Sequence, residues 1–365
     1  MRVLIAPDKF AGTLSAVEAA RAIAAGWARR APADELDLAP MADGGPGFVA
    51  VLHDALGGAL HAVTVRGPHG AVVPATLLLV ERGPARTAYV ESAQACGLHL
   101  VGEGDPEAAS SFGVGELVLA AWEAGATEVV VGLGGSGTSD GGAGLLAALG
   151  ATADRPLDAG LSGLAGITRV DVGPARERVR GLRLTAASDV DIPLTGLFGA
   201  IKTFGAQKGL AEERMPALDG VLEELAVAAD RALSLEKGAG AAGGLGFALG
   251  LLGAHREPGI ALVTGVTRLA ERARRADLVL TGEGAFDFSS RSGKVPYGVA
   301  AIAAEALRPC VALAGQVLVG SREMRVLGIE SAYAMVDVVG EERSFADPAG
   351  SLSDLAERVA RTWSH

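Results

Sequence analysis

The stretch EVVVGLGGSGTSDGGAGLLAALG, residues 128–150, is the one against which the rest of the chain is read. Residues 128–131 are mostly β-branched and apolar, which predicts a buried strand. Residues 132–144 hold seven glycines, with Ser136, Thr138, Ser139 and Asp140 among them. Residues 145–149 predict a helix that Gly150 stops. A glycine loop between strand and helix lets main-chain N–H groups approach an anion, and the helix N-terminus favours negative charge, so the loop reads as a phosphate cradle. The competing reading is a crowded turn, in a chain where 52 of 365 residues are glycine.

Two named phosphate motifs are incomplete. Gly132, Gly134 and Gly137 satisfy G-x-G-x-x-G. The acidic residue that should end a second strand about 20 residues on is missing, because Asp154 and Asp158 stand in a segment that reads as loop. Gly293-Lys294 is followed by Val295, so no Walker A loop is present.

Toward the N-terminus, residues 3–6 predict a short buried strand ending in the charged loop 7–13. Ser15 and Glu18 have capping-box spacing ahead of a helix to about residue 30, with Val17, Ala20, Ile23, Ala24 and Trp27 on its apolar face. A second strand over 35–39 runs into PMADGGPG (40–47) and a helix to residue 56. Two β-loop-α units in succession predict a parallel, doubly wound sheet. Residues 61–65, 71–80 and 86–91 have no helices between them and predict an antiparallel patch. A helix over 110–124, a strand over 183–187, a helix over 212–235 and a second glycine loop over 238–246 follow. Strands are predicted again at 276–281, ahead of the loop 282–287, and at 310–314, with a helix from 292 to 307 between them. Alternation at both ends suggests one doubly wound domain built from both termini, with the middle inserted.

The length favours two domains, and 49% hydrophobic content supplies their cores. A net charge of −11 argues against nucleic acid or a membrane surface as partner, while leaving small anions open to local loops. The first six residues are too short an apolar run for a signal peptide, and residues 243–254 are too short and glycine-rich to span a bilayer. Two isolated cysteines, Cys96 and Cys310, predict no disulfide framework and fit a reducing cytoplasm. The six histidines lack metal-binding spacing and read as surface or loop residues.

Five predicted loops carry carboxylates beside glycine or at strand ends: Asp8, Asp43, Asp140, the pair Asp189 and Asp191, and Glu283 with Asp287. Ligands of open α/β sheets bind outside the carboxyl ends of the strands. Acids there, with glycine loops, suggest Mg²⁺ bridging nucleotide phosphates, since Mg²⁺ usually takes only one or two carboxylates. Lys9, Lys208 and Lys294 lie in the same loops, in a chain whose positive charge is mostly arginine, and suit a transferring phosphoryl group. Any one of these acids alone would read as a helix cap or turn residue.

On these loops the chain resembles the glycerate kinase type I family. The matching stretches are IAPDKFAGTLSA (5–16), PMADGGPG (40–47), ESAQACGL (91–98), SSFGVGEL (110–117), GLGGSGTSDGGAG (132–144), SDVDIPLTG (188–196), FGAQKG (204–209), GAAGGLG (240–246), TGEGAFD (281–287) and SGKVPYGVA (292–300). The resemblance implies a two-domain α/β kinase. A discontinuous flavodoxin-like parallel-sheet domain, 1–58 with 104–150 and 258–365, would carry an inserted second α/β lobe, 59–103 with 151–257. It implies ATP and Mg²⁺ as cofactors, a small hydroxy acid as acceptor, and transfer of the γ-phosphate to D-glycerate, commonly giving 2-phosphoglycerate. No nucleic acid or membrane partner is expected, and the protein is expected to be a monomer or homodimer.

The site expected from the residues and the resemblance together has Asp189 or Asp191 orienting or deprotonating the acceptor hydroxyl, with Lys208 and Lys294 facing phosphate or the substrate carboxylate. Asp8, Lys9, Asp43, Gly44, Gly45, Gly134, Gly135, Ser136, Thr138, Asp140, Gly282, Glu283 and Asp287 are the expected binding residues. Asp189, Asp191 and Glu283 are the expected Mg²⁺ ligands. The family pattern is broken at Ala11, Pro46, Ile192, Ala206 and Ala285. If Ala11, Pro46, Ile192 and Ala285 line the acceptor pocket, weaker use of D-glycerate is expected. The alternatives are a kinase for another small hydroxylated acceptor, a non-catalytic nucleotide or hydroxy-acid sensor, and a dinucleotide-dependent dehydrogenase.

Overall fold

The computed structural model describes residues 1–287 and 294–364. Residues 288–293, which include the Ser292-Gly293 expected to start a helix, and His365 lie outside the described residues. Among the described residues the strands are β1 (Arg2–Ile5), β2 (Glu35–Leu38), β3 (Ala59–Arg66), β4 (Val72–Arg82), β5 (Ala85–Glu91), β6 (Glu128–Gly132), β7 (Thr152–Ala153), β8 (Val170–Asp171), β9 (Arg183–Ala187), β10 (His255–Glu257), β11 (Leu278–Phe286), β12 (Cys310–Val317) and β13 (Ser331–Ala334). The chain divides into two compact units, one made of Met1–Asp43, Ala50–Leu56 and Ile260–His365, the other of Gly44–Val49 and Gly57–Gly259.

The first unit is built on a parallel sheet in the order β13-β12-β11-β1-β2. Counted along this unit alone, that is the 2-1-3-4-5 order of flavodoxin-like folds, read from the other edge. The expected flavodoxin-like domain from both termini is therefore present. Strands β1, β11 and β12 are apolar nearly throughout, as a sheet covered on both faces requires.

The helix Ala16–Arg30 opens with the expected capping box: Glu18 N donates to Ser15 Oγ at 3.2 Å, and Ser15 N donates to Glu18 Oε2 at 2.9 Å. Its buried face includes Ala19, Ile23, Gly26 and Trp27, a stripe rotated from the expected one, with Val17 and Ala24 only half-buried. A Cβ on Gly26 would stand 1.9 Å from the Ser353 carbonyl oxygen, so the C-terminal helix Pro348–Trp363 crosses at backbone contact. Trp27 Nε1 donates to Asp34 Oδ2 at 2.9 Å, satisfying the polar atom of a fully buried ring.

Strand β11 is longer than expected. Pairing with β12 continues through Glu283↔Ala314 to Phe286↔Val317, so GEGAF is strand rather than loop. Its glycines permit this: a Cβ on Gly282 would lie 2.1 Å from the Leu313 carbonyl oxygen.

The second unit carries a six-stranded mixed sheet in the order β10-β9-β6-β5-β4-β3. Strands β3, β4 and β5 form the expected antiparallel patch, and β5, β6, β9 and β10 run parallel. Residues 104–150 belong here, which corrects the expected boundary. Strand β6 is hydrogen-bonded between β5 and β9, and the helix Phe112–Glu123 packs on the same unit's core. Strand-helix alternation is the same in both sheets and does not say which sheet a unit joins. The helix expected over 212–235 is broken at Asp230, whose carboxylate caps the short helix Arg231–Ser234 by accepting from Leu233 N. No helix among the described residues is long and apolar enough to cross a membrane.

Candidate active site

In the first unit the acids and lysines collect where the theory of open sheets places a ligand. The order turns back between β1 and β11; Asp8 stands just beyond the end of β1, and Glu283 lies on β11 past its pairing with β1. Asp8 N donates to the Gly282 carbonyl at 2.8 Å, which ties the two strand ends together. The Asp8 carboxylate is nearly enclosed, accepting from Lys9 N at 2.7 Å with Lys9 Nζ 3.7 Å away. Burial pushes its pKa up to about 6. The Lys9 charge opposes that shift, the Asp43 charge adds to it, and Lys294 opposes it more weakly. Lys294 Nζ lies 3.9 Å from Glu283 Oε2 and 4.0 Å from Asp287 Oδ1. The expected residues Asp8, Lys9, Asp43, Gly282, Glu283, Asp287 and Lys294 thus form one cluster. Four carboxylates against two ammonium groups leave it two negative charges in excess when all are ionised.

In the second unit the glycine loop closes on itself and on residues 44–46. Gly134 N donates to the Gly44 carbonyl at 3.0 Å. A Cβ on Gly134 would lie 2.4 Å from Gly45 Cα, and one on Gly135, whose φ is +74°, would lie 2.7 Å from Pro46 Cδ. Close packing of two loops, rather than ligand approach alone, accounts for these glycines.

Gly134, Gly135, Ser136, Val190, Gln207 and Lys208 line a cavity of about 300 Å³. Lys208 is 5% exposed, and its Nζ donates to the Thr138 carbonyl at 2.6 Å and to Ser136 Oγ at 3.2 Å. Burial lowers its pKa to about 8, although Cys96 and Asp140 favour the charge. Among the described residues no carboxylate forms an ion pair with it. A buried ammonium held only by neutral oxygens is suited to an incoming anion.

Other expected site residues stand elsewhere. Asp140 is fully buried, and it accepts from Ser111 N and Oγ at 2.8 Å and from Gly142 N and Gly144 N at 3.1 Å. Its carboxylate is occupied in holding the loop. The Thr138 residue is likewise enclosed and presents its carbonyl to Lys208. Asp191 is exposed and paired with Arg256 and, at 3.7 Å, Lys237. Two cations on one carboxylate oppose its expected service as a base or a Mg²⁺ ligand. Asp189 is half-buried beside it. No group of three or more His, Cys, Asp or Glu suited to a metal occurs among the described residues.

Asp154 is spent on Thr168 and Arg169, and Asp158 pairs with Arg66, so the dinucleotide fingerprint stays incomplete. The departures fall in both units. Ala11 and Ala285 line a cavity of the first unit, whereas Pro46 packs near Gly135, and the Ile192 carbonyl accepts from Gly238 N and Gly240 N in the second. Both cysteines are buried free thiols with pKa pushed up to about 12, consistent with packing roles. Glu91, absent from the expected site, is a buried carboxylate at the end of β5 that accepts from Gly47 N at 3.0 Å. Its signal was its place at the head of ESAQACGL, where a strand meets a helix.

A flavodoxin-like sheet with acids and lysines at its switch point, and a buried lysine beside a glycine loop, define an α/β enzyme that handles anionic substrates. The model described as "Glycerate kinase family" matches residues 3–364, and the chain belongs to that family. It is 43% identical to an uncharacterized protein of Mycobacterium bovis, over 99% of this chain and 91% of that one. It is 36% identical to the glycerate 2-kinase of Escherichia coli K12, over 99% and 98% of the two chains. A crystal structure described as a glycerate kinase 2 of Salmonella typhimurium LT2 matches with a TM-score of 0.80 at 36% identity, covering 99% and 98% of the two chains. The protein is accordingly an enzyme of the kinase class.

Proposed function

We propose that this enzyme transfers the γ-phosphate of ATP to the 2-hydroxyl of D-glycerate, giving ADP and 2-phosphoglycerate. The observation that carries the reading is that Asp8, just beyond β1, and Glu283, on β11 past its pairing with β1, meet where the sheet order reverses. The name of the 36%-identical Escherichia coli relative, a glycerate 2-kinase, supports the regiochemistry.

Asp8 is the group best suited to accept the hydroxyl proton. A carboxyl with pKa about 6 is ionised at neutral pH and is more basic than an ordinary aspartate. Of Asp189 and Asp191, the bases expected from sequence, Asp191 is exposed and held in ion pairs with Arg256 and Lys237. The two excess negative charges of the Asp8 cluster and its hard oxygen donors fit Mg²⁺, which Asp43 and Glu283 would hold. Mg²⁺ supplies neutralisation of the triphosphate charge. Lys294 stands beside Glu283 to act on the same charge, and Lys208 offers its ammonium to an anionic group of a substrate in its own cavity.

The test is ADP release with ATP, Mg²⁺ and a panel of small hydroxy acids. D-glycerate should be the preferred acceptor. Faster turnover of another acceptor would replace the acceptor assignment, and ADP release with none would overturn the reading.

A further inference from the structure

The first unit has a second concavity beside the Asp8 cluster, a cavity of about 220 Å³ lined by Phe10, Ala11, Gly284, Ala285, Gln316 and Met335 among others. It lies along the carboxyl ends of β11, β12 and β13, and the chain leads into it directly from Lys9 and from Glu283. Its floor is backbone. Gly284 and Gly315 are so close that a Cβ on Gly315 would meet the Gly284 carbonyl oxygen at 2.4 Å, and a Cβ on Gly284 would meet Ala11 N at 3.2 Å. Phe10 and Met335 are buried walls, while the Phe345 ring at the rim is 61% exposed. Among the described residues no charged side chain lines the cavity. Among the described residues the Gln316 carboxamide makes no hydrogen bond, and it is the one lining amide.

We propose that this cavity receives the base of the nucleotide, an adenine lying flat on the glycine floor with its polar edge read by the Gln316 carboxamide. The inference rests on the proposed function, whose two substrates differ in kind. D-glycerate is small and anionic throughout, and a cavity without a cation would strip its carboxylate of water with no compensation. A purine has apolar faces that suit Phe10, Met335 and Phe345, and an edge of donors and acceptors that a carboxamide pairs bidentately. Pockets for whole drug-sized ligands begin at about 300 Å³, so a cavity of this size suits one heterocyclic portion of a larger ligand. Continuity with Lys9 and Glu283 places the phosphates of the same molecule on the Asp8 cluster.

Calorimetric titration with ATP and with tripolyphosphate, which has no base, tests the assignment on the full-length protein. Gln316→Leu and Ala285→Phe should each weaken ATP binding at least tenfold and leave tripolyphosphate binding within about twofold. Ala285 is exposed and Gln316 half-buried, and an unchanged melting temperature shows that each variant is folded. Wild-type ATP affinity in both variants would overturn the base assignment while leaving the kinase reading standing. Equal loss of ATP and tripolyphosphate would overturn it in favour of a phosphate subsite. Failure of the wild-type protein to bind either ligand would overturn both.

Discussion

Lys208 donates its ammonium to the Thr138 carbonyl over 2.6 Å, joining a turn to a glycine loop 70 residues earlier in the chain. Neither Thr138 nor Ser136, its second partner, returns a charge. Replacing Lys208 by Met should raise KM for the anionic substrate about tenfold to a hundredfold, the scale of a hydrogen bond to a charged group. The wild-type enzyme should lose the same affinity as pH rises through about 8, where Lys208 releases its proton. The stability sign is opposite. Between pH 8 and 10.5 the unfolded chain keeps a proton that the folded chain has released, so this group favours folding increasingly as pH rises. Kinetics and melting curves across pH 7–10 check both directions.

Asp8 behaves in the reverse sense at acid pH. Its folded pKa of about 6 exceeds the ordinary 3.8, so its contribution to stability is full below 3.8 and is lost as pH rises through 6. Asp8→Asn should therefore raise the melting temperature at pH 7. It should also lower kcat by about 10²- to 10⁴-fold, the range for a positioned acid–base group. The acid limb of the wild-type kcat/KM profile, near pH 6, should disappear in the variant.

Asp191→Asn should change kcat less than about tenfold, well short of an acid–base loss. The residue and its partner Lys237 are exposed, and its other partner Arg256 is half-buried. A loss as large as that of Asp8→Asn would restore Asp191 as the base and displace Asp8.

Gly26→Ala should destabilise the first unit by at least about 1–3 kcal/mol, the usual cost of overpacking, because the new methyl meets Ser353 backbone at 1.9 Å. Both atoms belong to helices, so neither can yield alone. Chemical denaturation should show the shift, with kcat retained by the folded fraction.

Much of this was legible in the sequence because it depends on local pattern. The run at 128–131 is the buried β6, and the capping box at Ser15 and Glu18 starts its helix at the next residue. The acids at 8, 43, 283 and 287 and the lysines at 9 and 294 were identifiable by type and by strand-end position. Other features depend on residues far apart in the chain. Arg256 neutralises Asp191 from 65 residues away, Ser111 occupies Asp140 from 29, and the partnership of β6 with β5 and β9 draws 104–150 into the second sheet. Gly134 and Gly135 stand out in the sequence as a glycine pair, but Gly45 and Pro46 against them supply a packing reason that no local pattern contains.

Phosphorus NMR of the product formed from ATP and D-glycerate tests the central claim most directly. 2-Phosphoglycerate and ADP should form in equal amounts, with formation abolished by a Mg²⁺ chelator and restored by added Mg²⁺. Intact ATP after prolonged incubation, or 3-phosphoglycerate as the product, would contradict it.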